Sequence, residues 1–200
     1  MDGTDFRMTL RRKGHTRSKS HKFNGPALRY EVAISIFSGY IVHINGPYHP
    51  GMINDLQIFR DKLKGKLKFG VERVEADDGY RGEYHYVDLP KSGCFHEKVG
   101  GRCQPGCRGC RQSKMKARLR SRQETCNNLF KTFAILRERY RHGEVFHGWV
   151  FRAIVTIVQI EIRTGNPLFY CDNTYKTQES NERKMATAEL LRNRRRRRGL

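Results

Sequence analysis

The fold is decided by the stretch YEVAISIFSGYIVHI, residues 30–44. Up to Ile36 its apolar residues alternate with polar or small ones, a period of two that is typical of a half-buried strand. Ser38-Gly39 predicts a turn, and the apolar run 40–44 predicts a second strand, so the two form a hairpin. Before the hairpin, residues 2–10 place Phe6, Met8 and Leu10 on one face. We therefore expect three antiparallel strands at the start of the chain.

Helix signals dominate the sequence after the hairpin. Gly-Pro and Pro-Gly pairs between 46 and 51 break the chain, and Asn54 or Asp55 then caps a predicted helix that runs through Leu63. A short buried strand is predicted at 71–76 and a loop rich in Gly and Cys at 91–113. The spacing predicts a long helix at about 114–141, whose apolar positions are Leu129, Phe130, Phe133 and Leu136.

The remaining sequence predicts one more core helix and a polar tail. That helix spans about 146–164 and ends at Gly165. The resulting order βββ-α-β-α-α predicts an α+β or mixed α/β fold, and it matches the order of the ribonuclease-H-like fold without singling that fold out. We expect one domain over residues 1–170 and a polar, Arg-rich tail at 171–200. Its run Arg194–Arg198 is expected to be disordered and to serve nuclear import, which predicts a nuclear protein, with non-specific nucleic-acid binding as the alternative.

Net charge indicates the class of partner. The 200 residues include 40 Lys and Arg against 20 Asp and Glu, a net charge of +20. This excess predicts a polyanionic partner, either nucleic acid or an acidic membrane, rather than a small acidic substrate. The most apolar stretch, 149–162, is interrupted by Arg152, Gln159 and Glu161, so no membrane span is predicted. The N-terminal residues contain no apolar leader, and the six cysteines are therefore expected in a reducing, intracellular compartment.

Three acidic residues occupy the ends of predicted elements. Asp2 begins the first strand, Asp77 follows the fourth, and Glu124 lies near the start of the long helix. Carboxylates at such positions suit a pair of divalent cations that assists phosphodiester hydrolysis, and Mg²⁺ accepts carboxylate oxygens while it keeps substrate phosphates in its shell. From the residues alone, each of these acids can equally be a solvated surface carboxylate. An ideal helix also turns Glu124 away from the apolar stripe.

Five short segments give these acids a context: DGTDFR (2–7), SHKFNG (20–25), GMIND (51–55), ADDGYRG (76–82) and RQETCNNLFK (122–131). In this order they resemble the catalytic domain of Harbinger-type DDE transposases, relatives of the insertion-sequence-5-like group. The resemblance covers about residues 2–170. It implies a ribonuclease-H-like fold, metal-dependent cutting of DNA, and a catalytic metal triad of Asp2, Asp77 and Glu124 that holds Mg²⁺ or Mn²⁺.

The acids beside the triad are assigned different roles. Asp78 adjoins Asp77, but on an extended strand the two side chains point to opposite sides, and the family pattern Asp-x-Gly-Tyr puts the catalytic acid first. Asp55 resembles the family's acid before the short helix, and a supporting role in the site and a helix cap stay open. Asp5 is expected on the strand surface.

The start of the sequence differs from the family pattern. Family members carry further strand residues and a region resembling a helix-turn-helix before the first Asp, whereas here Met1 directly precedes Asp2. This predicts a truncated first strand and a separate DNA-binding protein as a partner. Two functions follow as alternatives, a DNA endonuclease or transposase and a non-catalytic nucleic-acid-binding remnant of one.

Cysteines and basic residues supply the remaining candidates. Cys107-x-x-Cys110 has zinc-knuckle spacing, and Cys103 or His96 can complete a zinc site within the loop 94–110, whereas the alternative is unligated thiols. Cys126 is expected to be a small buried residue. Two basic clusters are predicted to contact DNA phosphates, with a solvated face as the alternative. They comprise Arg17, Lys19, His21 and Lys22 before the hairpin, and Lys114, Lys116, Arg118 and Arg120 on the long helix.

Overall fold

An antiparallel sheet lies at the centre of the protein. The computed structural model describes residues 1–9, 16–89, 107–172 and 174–197. Strands β1 (Asp2–Arg7) and β4 (Ile41–Tyr48) pair antiparallel with opposite sides of β3 (Gly25–Ile34), and the short β2 (Lys19–Ser20) pairs with the start of β3. The three predicted antiparallel strands are thereby confirmed, whereas β2 was not predicted. The chain is a mixed α+β protein.

The register of β1 on β3 decides which side chains share a face. Asp2 lies opposite Val32 and Asp5 lies opposite Arg29, so β1 is paired along its whole length. Because side chains alternate along a strand, Asp2 and Phe6 point to one face and Asp5 to the other. The amino group of Met1 donates to the Glu75 carbonyl at 2.8 Å, which brings the next strand of the chain beside the beginning of β1.

A helix and a small parallel ladder follow the sheet. Helix α1 (Asp55–Lys62) begins after Asn54, whose Oδ1 accepts from the Gln57 amide at 2.8 Å, so the predicted capped helix is confirmed. The predicted strand 71–76 is shorter than expected: β5 is Val74–Glu75, and it pairs in parallel with β6 (Val87–Asp88). A single 3₁₀ turn, Asp78–Tyr80, lies between these two strands and directly follows Asp77.

The long helix differs from its prediction at both ends. Helix α2 (Arg108–Thr132) begins six residues before the predicted start, and α3 (Ala134–Arg137) follows after an extended residue, Phe133. The physical reason for the early stop lies in β1, because Tyr140 donates its amide to the Arg7 carbonyl and accepts from the Thr9 amide at 2.7 Å. A helix continued to 141 would lose this pairing, in spite of the apolar spacing that extends to Leu136.

The last two helices are α4 (Glu144–Thr164) and α5 (Thr174–Arg197). The first confirms the predicted helix that ends at Gly165. The second corrects the expected disorder for residues 194–197, which continue a helix, whereas Arg198 lies outside the described residues. No apolar periodicity marks this segment in the sequence, so its helical structure could not be predicted from a buried stripe.

Two apolar clusters cover the two faces of the sheet. The larger cluster joins β1 and β3 to α2 and α4, and at its centre are Phe6, Tyr30, Phe130, Phe151 and Val158. The smaller cluster lies under α1 and β5 and consists of Met1, Ala33, Phe59, Leu63, Ala76, Tyr80 and Val87. Cys126 is fully buried, as predicted, and burial raises the pKa of its thiol to about 12.

Helix α4 has one face in the core and one face exposed. By length and composition alone it could cross a membrane, with a mean hydropathy of 1.4. Phe151 and Val158 on its inner face pack against the sheet, while Phe146 and Trp149 on its outer face are about two-thirds exposed. Its packing is that of a core helix, and the expectation of no membrane span stays a prediction.

Candidate active site

The three predicted acids line one cavity of about 1010 Å³. Asp2 lies on β1, Asp77 lies just after the end of β5, and Glu124 lies on α2. The cavity also contains basic side chains from several elements, and these are Lys22, Lys66, Lys68, Arg73, Arg120, Arg122, Arg183 and Lys184. The three carboxylates thus share the cavity with these basic side chains, as expected of a site that binds a polyanion.

Asp2 is held by a side chain from α2. Its Oδ2 accepts a hydrogen bond from Asn127 Nδ2 at 3.0 Å, and Asn127 Oδ1 in turn faces Gln123 Nε2 at 3.5 Å. Burial is the main cause that raises the pKa of the Asp2 carboxyl; the Lys22 ammonium opposes this shift and the Asp77 charge adds to it. A cation bound beside Asp2 would relieve both the desolvation and the repulsion.

Asp77 is exposed, and its side chain accepts a hydrogen bond from the backbone that follows it. It occupies the cap position before the 3₁₀ turn, and its Oδ1 accepts from the Gly79 amide at 3.1 Å. Asp78 does not line the cavity; it is about two-thirds exposed and pairs with Arg81 at 3.1 Å. The choice of Asp77 over Asp78 as the acid of the cavity agrees with this arrangement.

Glu124 lies on the solvent side of α2, as the helix spacing predicts. Its side chain is exposed and lines the cavity, while Gln123 and Asn127 beside it are buried. Gln123 Oε1 is a buried amide oxygen without a hydrogen-bond partner, and Gln123 also lines the cavity. Sequence reasoning did not single out Gln123 or Asn127, since buried polar residues on a helix leave no periodic signal.

The donor chemistry of the cavity fits a hard divalent cation. Carboxylate and amide oxygens are the ligands that Mg²⁺ and Mn²⁺ accept, and Asp2, Asp77, Glu124 and Gln123 Oε1 supply them. Within the ranges that the structure describes, however, no three His, Cys, Asp or Glu side chains converge closely enough to form a ready-made metal site.

Asp5 and Asp55 form a charged network with Arg29 behind β1. Arg29 Nε contacts Asp5 Oδ1 at 2.7 Å, its Nη1 contacts Asp55 Oδ1 at 3.1 Å, and Ser20 donates to Asp5 as well. Asp5 is therefore buried and paired, and its expected place on the strand surface is wrong. The register explains this error, because Arg29 lies directly opposite Asp5 and takes its carboxylate into the interior.

Asp55 approaches β1 at a glycine. A Cβ atom on Gly3 would lie 2.7 Å from Asp55 Oδ1, and one on Gly79 would lie 3.6 Å from Asp55 Oδ2. Asn54 caps α1, so the helix-cap interpretation of Asp55 is wrong, and its carboxylate is instead tethered by Arg29. Burial raises the pKa of Asp55 against the opposing charge of Arg29. Its supporting role in the site stays a prediction.

The predicted phosphate contacts have different surroundings. Lys22 lines the cavity and donates to the Gly3 carbonyl at 2.8 Å, and Arg120 also lines the cavity and is exposed. Lys116 points inward instead, with Leu89 as its acceptor at 3.0 Å and Glu75 nearby, and Arg118 donates to the Tyr170 carbonyl. The other predicted contacts are exposed but do not line the cavity; they are Arg17, Lys19, His21 and Lys114.

The predicted zinc loop lies largely outside the described residues. Cys94, His96 and Cys103 fall in the range 90–106, while Cys107 directly precedes α2 and Cys110 lies in its first turn. Both described cysteines are half-buried. The zinc site stays a prediction.

Comparison with known proteins adds no further assignment. No family model, no curated protein and no solved structure matches this chain. Its function is therefore argued from the cavity and its side chains.

Proposed function

We propose that this chain is a DDE-type transposase or endonuclease domain that cuts DNA phosphodiesters by divalent-metal-assisted hydrolysis and can transfer the freed strand. The observation that carries the proposal is the shared cavity of Asp2, Asp77 and Glu124, which come from three separate elements. The same three residues are those that the sequence motifs mark. A nuclear location and a separate DNA-binding partner belong to the same proposal.

A ribonuclease-H-like architecture is part of this proposal. The antiparallel order β4-β3-β1 supports it, and so does the hydrogen bond from the Met1 amino group to Glu75, which sets β5 next to β1. In this arrangement the first acid on β1 and the acid after β5 lie at the same end of the sheet, where α2 adds the third.

The side chains of the cavity divide the work between metal and phosphate. Asp2, Asp77 and Glu124 would hold Mg²⁺ or Mn²⁺, which when bound would activate the attacking oxygen and stabilise the leaving one. Asn127 keeps the Asp2 carboxylate in one orientation through its 3.0 Å hydrogen bond. Lys22 and Arg120 offer positive charge to the DNA backbone at the same cavity.

The experiment compares two neighbouring acids. Nicking of supercoiled duplex DNA is measured with Mg²⁺ and with Mn²⁺ for the native chain, for Asp77→Asn, for Glu124→Gln and for the control Asp78→Asn. We expect Asp77→Asn and Glu124→Gln to lower the rate by at least about 100-fold, because a metal ligand is lost. Asp78→Asn should leave the rate unchanged, since Asp78 is turned away from the cavity. Equal losses in Asp77→Asn and Asp78→Asn would contradict the assignment.

A second function is favoured by one observation. In the described part of the chain the acids share a cavity but do not converge on one point, which is the arrangement expected of a non-catalytic nucleic-acid-binding relative. This alternative predicts DNA binding in EDTA and no nicking with either metal, in the native chain and in all variants. Nicking that depends on Asp77 would exclude it.

A further inference from the structure

Helix α5 brings positive charge to the cavity of the three acids. Arg183 and Lys184 from this helix line the same cavity as Asp2, Asp77 and Glu124. Lys66 and Lys68, from the segment after α1, line it as well. Basic side chains from two elements far apart in sequence therefore meet at the cavity that the proposed function assigns to DNA cutting.

The contact of α5 with the rest of the protein is polar. Within residues 181–193 only Arg183 and Thr187 are half-buried, and the other side chains are exposed. These two residues are four apart, so they lie on one face of the helix. Thr187 Oγ1 donates to the Gly70 carbonyl at 3.2 Å. Among residues 181–193 the larger apolar side chains are exposed, and they are Met185, Leu190 and Leu191.

Gly70 allows this contact. Its backbone φ of +74° is in the left-handed region that favours glycine, and a Cβ atom there would lie 2.9 Å from Thr187 Oγ1. The turn at Gly70 thus receives α5 closely, and it follows directly after the segment that carries Lys66 and Lys68. Helix and segment are held side by side at one edge of the cavity.

The energetics of this arrangement point to an anionic ligand. Over residues 181–193 the helix buries almost no apolar surface, so this part gains little from the hydrophobic effect and needs another source of stability. At the cavity its cationic side chains lie with Lys66 and Lys68 among lining residues that also include Glu72, Glu75 and Asp88. A chain of phosphates between the two basic pairs would be attracted by both and would release condensed counterions.

We propose that α5 is a phosphate-binding arm, which closes against nucleic acid in the cavity and contacts its backbone through Arg183 and Lys184. That nucleic acid is the ligand rests on the proposed function, whereas the arm itself does not depend on whether cleavage occurs. The arm adds a second basic wall to the surface that Lys22 and Arg120 form on the other elements of the cavity.

The test measures binding without catalysis. A fluorescein-labelled 20-bp duplex is titrated with the full chain in EDTA at several salt concentrations, for the native protein and for Arg183→Ala/Lys184→Ala. Each lost phosphate contact removes about 0.9 from the slope of log affinity against log salt. We expect the slope to fall by about 2 and the affinity at low salt to fall by about 10-fold.

The matched control is Arg139→Ala/Arg141→Ala. These two arginines are exposed and do not line the cavity, so the control removes the same net charge elsewhere. We expect a change in slope below about 0.5. Equal losses in both double variants would overturn the arm, because the effect would then come from net charge alone. The titration is made in EDTA and requires no cleavage, so failed cleavage and a failed arm give different results.

A second measurement covers the case in which the double variant alters the helix. Amide hydrogen exchange of residues 181–193 is followed in the native chain with and without the duplex. We expect the DNA to slow exchange in this helix, because a bound phosphate chain fixes the arm. Exchange that is unchanged by saturating DNA would overturn the proposal. Thr187→Val, which keeps the charge and loses the bond to Gly70, should speed exchange in the free protein.

Discussion

The buried pair Arg29–Asp5 allows a quantitative test of what holds β1 in place. Arg29 makes contacts of 2.7 and 3.0 Å with the Asp5 carboxylate and one of 3.1 Å with Asp55, and the side chain of Asp5 is fully buried. The change Arg29→Met keeps most of the volume and leaves a buried carboxylate without its counter-charge. Removal of one partner from such a pair costs about 3–5 kcal/mol of unfolding free energy.

Urea unfolding gives the measurement. With a slope of about 2 kcal/mol per molar urea, a loss of about 4 kcal/mol lowers the midpoint by about 2 M. The matched control is Arg137→Met, which removes a surface pair with Glu138 whose side chains are more than half exposed; it should change stability little. The double variant Asp5→Leu/Arg29→Met should regain much of the loss, because the orphaned charge is gone.

Two outcomes would refute this reasoning. A loss in Arg29→Met no larger than in Arg137→Met would mean that Asp5 does not depend on its partner. A double variant as unstable as the sum of the two single changes would mean that the two side chains act independently. Either result would mean that strand pairing alone, and not the Arg29–Asp5 pair, fixes the position of Asp55 beside β1.

Two further predictions follow from the structure. Gly3→Ala should cost about 1–3 kcal/mol in urea unfolding, since the new Cβ would lie 2.7 Å from the α1 carboxylate oxygen, whereas Gly65→Ala, which meets open space, should stay within about 0.5 kcal/mol. Burial lowers the pKa of His147 to about 4, below its usual 6.5, so the unfolded chain binds this proton first as pH falls. Stability should therefore drop by about 2 kcal/mol between pH 7 and pH 5 relative to the variant His147→Gln, and equal pH profiles of the two proteins would contradict it.

The sheet could be predicted because its signals are local. Alternation around Tyr30 and Val32, a turn signal at Gly39 and a cap at Asn54 each act within a few residues, and each was confirmed. The break at Phe133 could not be predicted, since the apolar spacing runs on without interruption. It results from the pairing of Tyr140 with β1, a contact across more than a hundred residues.

The candidate site, like the fold, could be predicted only in part from the sequence. The motifs mark three acids that do line one cavity, but they contain nothing about side-chain distances, and the three acids do not converge. The inward turn of Asp5 depends on Arg29 being its cross-strand neighbour, which requires the register as well as the strands. Helix α5 escaped prediction for another reason: over residues 181–193 its apolar side chains are exposed, so no buried stripe marks it, and Thr187 contacts Gly70 through a polar bond.

Residues 122–127 of α2 connect the elements that line the cavity. Arg122 donates from within the core to the two carbonyls at the end of β3, Asn127 holds Asp2 on β1, and Gln123 joins them on the buried side. Glu124 belongs to the same stretch; its side chain is exposed and lines the cavity. The polar residues that a helix would ordinarily expose are buried here because they attach α2 to two strands. These contacts therefore set the position of Glu124 relative to Asp2. Any change that loosens Arg122 or Asn127 should move both Asp2 and Glu124.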